Sequence, residues 1–104
     1  MFDYSGSTAL VTGASKGLGV GFAEALAERG MNLILVARST NELNVLSTRL
    51  NVKYKTLCTV LGIDLADPSG PQTIAEELED RSIQVDLLVN NAGFGLSGVR
   101  SGNI

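Results

Sequence analysis

The sequence predicts an α/β fold, a parallel sheet of about four strands with three helices, stacked in three layers. Three observations carry this. Four short β-prone or continuously apolar runs alternate with three segments whose apolar residues recur at helical spacing. The second run, Leu33 to Ala37, is unbroken rather than alternating, as in a strand covered on both faces. The first run stops at a glycine-spaced segment that leads directly into a helix. Strands joined in the order β-α-β-α-β-α-β need right-handed crossovers, and the simplest spatial order is 3-2-1-4.

Each element has its own justification. Thr8 to Thr12 is a β-prone run closed by Gly13. From Leu18 to Arg29 the residues Phe22, Ala25 and Leu26 fall at i, i+3, i+4, with Gly30 placed as a helix stop. Leu33 to Ala37 is the second strand. Asn41 to Leu50 puts Leu43, Leu46 and Leu50 on one helical face, with Ser39 or Thr40 as N-cap. Thr56 to Ile63 is the third strand, ending near Gly62-Ile63-Asp64. After the turn signal Asp67-Pro68-Ser69, Ile74 and Leu78 mark the inner face of a third helix whose Glu76, Glu77, Glu79 and Asp80 read as a solvated face. Val85 to Val89 is the fourth strand. Beyond Gly93 periodicity is lost, so residues 1–94 read as one domain and residues 95–104 as a flexible tail.

Composition narrows the function. The chain has 104 residues, a net charge of -3, one Cys and no His. Without His, a Ser-His-Asp triad and a His-containing zinc site are excluded. Cys58 has no partner for a disulfide within the chain and lies in the apolar stretch Leu57 to Leu61, where it reads as a small hydrophobe. There is no basic block to hold nucleic acid phosphates. No apolar run approaches the roughly 18 residues of a membrane helix, and Asp3 with no basic residue before Lys16 is a poor start for a signal peptide. The expectation is a cytoplasmic protein without membrane or nucleic acid partners.

The sharpest chemical feature is Thr12-Gly13-Ala14-Ser15-Lys16-Gly17-Leu18-Gly19. At a strand-to-helix junction, Gly13 permits a tight turn, Gly17 a close backbone approach to a pyrophosphate, and Gly19 close helix-strand packing. Helix-start N–H groups attract the anion. Together these features read as a Rossmann-like dinucleotide site. Arg38 follows the second strand, nineteen residues past Gly19. A site selecting NAD normally has Asp or Glu there for the ribose 2′-hydroxyl, whereas Arg suits the 2′-phosphate of NADP. Lys16 and Ser15 can serve the same phosphate, so NADP is expected over NAD.

These residues resemble the short-chain dehydrogenase/reductase family, whose cofactor motif is Thr-Gly-x-x-x-Gly-x-Gly, matched at Thr12, Gly13, Gly17 and Gly19. Asp64-Leu65 resembles the family's adenine-contacting segment, and Asn90-Asn91-Ala92-Gly93 matches its Asn-Asn-Ala-Gly signature. Phe94-Gly95 looks like a branch with NADP-preferring bacterial dehydrogenases. The resemblance implies that Gly13, Gly17, Leu18 and Gly19 hold the pyrophosphate and adenosine side. It implies that Asp64 accepts a hydrogen bond from the adenine amino group, that Leu65 lies against the ring, and that Asn90 and Gly93 meet the ribose. Asp64 also reads as a turn cap beside Asp67, and the Asn pair as a turn signal.

The family's hydride transfer depends on a Ser, an Asn and a Tyr-x-x-x-Lys pair placed beyond the Asn-Asn-Ala-Gly segment. Neither Tyr4 nor Tyr54 has Lys four positions later. No catalytic residue is therefore assigned, and the chain alone is expected to be inactive. Three readings stay open: the cofactor-binding half of an NADP-dependent oxidoreductase, a non-catalytic NADP-binding module, and a structural remnant. With strand four at the sheet edge, a homodimer or larger assembly is expected, most simply through that strand; the alternative, that the chain from Phe94 onward folds back over the edge, is disfavoured by its glycine content.

Overall fold

A computed structural model describes residues 5–91 and the two-residue strand Gly102–Asn103. Strands β1 (Thr8–Thr12), β2 (Asn32–Ala37), β3 (Cys58–Gly62), β4 (Leu87–Asn90) and β5 (Gly102–Asn103) form one parallel sheet in the order β3-β2-β1-β4-β5. Helices α1 (Gly17–Glu28), α2 (Thr40–Tyr54) and α3 (Gly70–Asp80) connect the first four strands. The order 3-2-1-4 with three crossover helices is the one the sequence predicts.

Alternation along the central strands creates two cores. Ala9, Val11, Leu33 and Leu35 point to one face, where Ala23, Leu26, Ala27, Leu43, Leu46 and Leu50 of α1 and α2 cover them. Leu10, Ile34, Val36 and Leu88 point to the other, under Ile74 and Leu78 of α3. Because β1 and β2 are buried on both faces, their sequences are continuously apolar.

The buried side of α1 differs from the expected one. Phe22 and Ala25 are only half-buried, and the helix rests on the sheet through Gly19, Ala23, Leu26 and Ala27. Small residues at i, i+4 and i+8 bring the helix axis close to β1. Helix α2 runs a full turn beyond Leu50, to Tyr54. It starts at N-cap Ser39, whose side chain makes no capping bond, while Glu42 complements the dipole in the first turn.

Helix ends show how the chain reverses. Gly30 has φ 84°, and Met31 N–H reaches Leu26 O at 3.2 Å, so α1 closes on glycine as read. Helices α2 and α3 instead close on Lys55 (φ 59°) and Ser82 (φ 54°), non-glycine residues in the left-handed region. In α3 the Ile83 N–H bonds Leu78 O at 2.9 Å, and Ile83 packs against the same core cluster as Leu78.

At the far edge, Gly102 and Asn103 lie opposite Leu87 and Leu88 of β4. This corrects the expectation of a structureless tail for those two residues and adds a fifth strand. The remaining residues of the 95–104 segment fall outside the described ones. Part of the β4 edge is thus already paired, because the unsatisfied N–H and C=O groups of an apolar strand favour a partner. Cys58 is half-buried in β3, and burial pushes its thiol up from the ordinary value against a hydrogen bond from Ser47. That environment suits a packing residue.

Candidate functional site

The carboxyl ends of β1, β2 and β3 converge on one opening, the place where parallel α/β sheets leave a crevice. The segment from Gly13 to Lys16 leaves β1 through Gly13, at φ 64°, and is held to the neighbouring strand by Ala14 N–H donating to Val36 O at 3.2 Å. Lys16 is extended (φ -147°, ψ 157°) as the N-cap of α1, and its side chain makes no capping bond. With no acidic residue in the first turn, the amides at the start of α1 remain suited to an anion.

Gly17 and Gly19 serve different ends. Gly17 has φ 53° and nothing within 4 Å of where a side chain would begin, so the space above it is open. Gly19 is jammed: a Cβ there would lie 2.7 Å from the Gly13 carbonyl carbon and closer still to its oxygen. Leu18, between them, is exposed.

A cavity of about 220 Å³ lies at the strand ends and is lined by Gly13, Ser15, Arg38, Asp64 and Leu65, with Val36, Ala37, Ile63 and Ala66 completing the wall. Five of the sequence-predicted residues therefore share one space. Val36, Ala37, Ile63 and Ala66 were not singled out in the sequence, although their place at the last positions of β2 and just past β3 could have marked them. Lys16, Gly17, Leu18, Gly19 and Asn90 are not among the lining residues. Gly93 lies outside the described residues.

Local bonds shape the walls. Asp64 Oδ1 accepts from Ala66 N–H at 2.9 Å, an Asx turn, and Asp64 O accepts from Asp67 N–H at 3.0 Å. Asp64 thus caps its own turn and also lines the cavity. Ile63 N–H donates to Ala37 O at 3.0 Å, holding the end of β3 against β2. Ser69 backbone N–H and hydroxyl both donate to Asp67 Oδ1 at 2.9 Å, and they hold that carboxyl below its usual value.

The fourth strand ties in beneath. Thr12 is fully buried, and its hydroxyl reaches Val89 O at 3.4 Å and Asn90 Oδ1 at 3.2 Å. Asn91 Nδ2 donates to Gly13 O at 3.4 Å, the carbonyl against which Gly19 packs. The Asn pair therefore fastens the end of β4 to β1 and to the glycine segment.

Residues 7–102 match the short chain dehydrogenase family. The chain belongs to that family. It is 38% identical over 92 residues to the 3-oxoacyl-(acyl-carrier-protein) reductase FabG of Escherichia coli, covering 88% of this chain and 36% of that protein. Among solved structures it resembles L-sorbose reductase from Gluconobacter frateurii, complexed with NADPH and L-sorbose, with a TM-score of 0.80 and 34% identity over 90% of this chain and 36% of that one. It also resembles a short-chain dehydrogenase from Sphingobium yanoikuyae in complex with NADPH, with a TM-score of 0.75 and 36% identity over 86% of this chain and 34% of that one. The chain spans about a third of the length of these short chain dehydrogenases. No helix among the described residues is long and apolar enough to cross a membrane, and the described residues contain no cluster of His, Cys, Asp or Glu able to hold a metal ion.

Proposed function

We propose that this chain is the NADP-binding part of a short-chain dehydrogenase/reductase-type oxidoreductase. In the complete family fold, the reaction is hydride transfer between NADP(H) and a carbonyl or alcohol. The observation that carries the reading is the convergence of Gly13, Ser15, Arg38, Asp64 and Leu65 on one cavity at the strand ends, beside the uncapped start of α1.

The residues fit the cofactor. The open space over Gly17 leaves room for a pyrophosphate against the backbone, and the packing of Gly19 on Gly13 holds the first-turn amides close to the strand end. Arg38, with Lys16 and Ser15, supplies charge and donors for a 2′-phosphate. Asp64, oriented by the Ala66 N–H, presents a carboxylate to an adenine amino group, with Leu65 beside it. Asn90 and Gly93 belong to the ribose side of the same reading. A bound nicotinamide supplies or accepts the hydride. Among the described residues no tyrosine is set up as a proton donor: Tyr54 sits at the C-terminal end of α2 with its hydroxyl bonded to Glu24, and no Lys follows it at the required spacing. Turnover by the isolated chain is therefore not expected.

Two features complete the reading. Self-association is expected, most simply on the β4 side of the sheet; a monodisperse monomer at micromolar concentration in sedimentation would overturn this. The cytoplasm is the expected compartment, where NADP is available.

The deciding experiment is thermal unfolding of the 104-residue chain in NADP and, in parallel, NAD. Ligand at about 100 times Kd stabilises by roughly 2.7 kcal/mol, and a domain of this size shifts by about 4 to 8 °C per kcal/mol. A rise with NADP and little with NAD is the expected result. No rise with either overturns the proposal.

A further inference from the structure

Helices α1 and α2 lie side by side on one face of the sheet, but they are not packed along their whole length. A cleft of about 360 Å³ opens between them and runs from Ser15 and Asn41 at the nucleotide end, past Val20, Glu42, Val45 and Leu46, to Arg49. Where it ends at Arg49, the Glu24 carboxylate joins the two helices. Glu24 of α1 accepts from Arg49 Nη1 at 3.4 Å on Oε1, and from Lys53 Nζ at 3.2 Å and Tyr54 OH at 3.1 Å on Oε2. All three donors come from the last two turns of α2.

We propose that Glu24 is a positioning residue for the nucleotide phosphate: by tying α2 to α1 it sets the separation between Ser15 and Lys16 at the start of α1 and Arg38 at the entrance to α2. The inference rests on the reading that these three residues meet a 2′-phosphate. The geometry is that of a lever. At 1.5 Å per residue, Glu24 lies about 10 Å along α1 from its first residue, and Arg49 to Tyr54 lie about 14 to 21 Å along α2 from its first. The sheet holds both helices through Ala23, Leu26, Leu43 and Leu46, and across the cleft the Glu24 tie sets the remaining separation between them, which is read as distance at Lys16 and Arg38. Three donors on one carboxylate hold a defined geometry that an isolated exposed pair does not.

NADP and NAD separate positioning from general stability. A 2′-phosphate needs the cations of both helices at once, whereas NAD uses the glycine segment and the adenine wall alone. Titration calorimetry of the full chain with NADP and NAD is compared for the wild type, Glu24→Gln, Glu24→Ala, and Glu77→Gln. Glu77 pairs with Arg81 within α3 at 3.6 Å and joins no two helices. The expected result is a loss of NADP affinity of roughly threefold or more in both Glu24 variants, with NAD affinity unchanged, so that the preference between them falls. Glu77→Gln keeps the wild-type preference.

Equal weakening of both nucleotides by Glu24→Ala, an unchanged preference, or the same fall in Glu77→Gln would overturn the inference while leaving the cofactor reading intact. Glu24→Gln keeps the shape and an acceptor oxygen, so it guards against a folding defect in Glu24→Ala. A wild-type chain that binds neither nucleotide overturns the cofactor reading and this inference with it.

Discussion

The carbonyl group of Gly13 occupies the space in which a Gly19 side chain would lie. One contact thereby links the turn out of β1 to the first turn of α1, and Asn91 adds a third element by donating to the same carbonyl at 3.4 Å. The glycine segment is a packed joint, whatever it holds on its outer surface.

An alanine series along α1 tests this joint. Gly19→Ala should destabilise by about 1 to 3 kcal/mol through overpacking against backbone that cannot yield. Gly21→Ala, with nothing within 4 Å of the new methyl, should stabilise by up to about 1 kcal/mol through helix propensity. Urea unfolding of the two variants checks the opposite signs. A stable Gly19→Ala would mean that the helix can lift off the strand freely.

Arg38→Asp should invert cofactor preference. Losing a charge-assisted hydrogen bond and placing a carboxylate near a phosphate should cost roughly 2 to 3 kcal/mol of NADP binding, about thirty- to a hundredfold. NAD binding should be held or improved, because Asp accepts from a ribose hydroxyl. Lys16→Ala should give a smaller loss in the same direction. Fluorescence or calorimetric titration with both nucleotides reads the outcome, and equal loss of both would remove Arg38 from the site.

Two buried threonines should respond oppositely to valine. Thr12 bonds to the end of β4 through its hydroxyl, so Thr12→Val should cost about 0.5 to 1.5 kcal/mol. Thr56 is 4% exposed, and its Oγ1 has no hydrogen-bond partner among the described residues. Thr56→Val removes an unmet desolvation cost and should be neutral or stabilising by about 1 kcal/mol. Chemical denaturation of both variants measures the contrast.

Acid should weaken the fold through Glu24 and Asp67. Hydrogen bonds from Lys53 and then Tyr54 hold the Glu24 carboxyl below its ordinary value, against an opposing effect of burial. Asp67 is held down by the Ser69 N–H and hydroxyl. A carboxylate depressed in the folded state contributes stability above its unfolded pKa and loses it as pH falls through the folded one. Melting temperature should therefore drop below about pH 4. Glu24→Gln should flatten that slope, and an unchanged slope would show that the Glu24 bonds do not persist in solution.

Much of this architecture is legible in the sequence because burial on both faces writes β1 and β2 as unbroken apolar runs, and because the glycine spacing has a context. Other parts leave no such trace. The last turn of α2 is hard to read because Val52 is exposed and the next inward position after Leu43, Leu46 and Leu50 is Tyr54, a half-buried phenol rather than an aliphatic residue. What holds that turn is Tyr54 reaching Glu24, thirty residues away. Its end is equally silent, since the left-handed residue is Lys55 rather than glycine. Phe22 was overvalued because size suggests an inward residue, while close approach to the sheet selects Ala23 and Ala27. Strand β5 has only two residues, too few for any periodicity. At the cavity, the glycine spacing and the place after β2 mark Gly13, Ser15 and Arg38, and the family resemblance marks Asp64 and Leu65, whereas Ile63 and Ala66 take part through backbone position, for which side-chain type gives no signal.

Lys55 and Ser82 both sit where a helix hands over to the next strand, at the pole of the sheet away from the cavity. Each carries a conformational cost of about 1 kcal/mol or more that glycine would remove. These two sources of reclaimable stability thus lie at the pole opposite the cavity. A designer can therefore harden this scaffold from behind, at the ends of α2 and α3, and leave every cavity-lining residue in place.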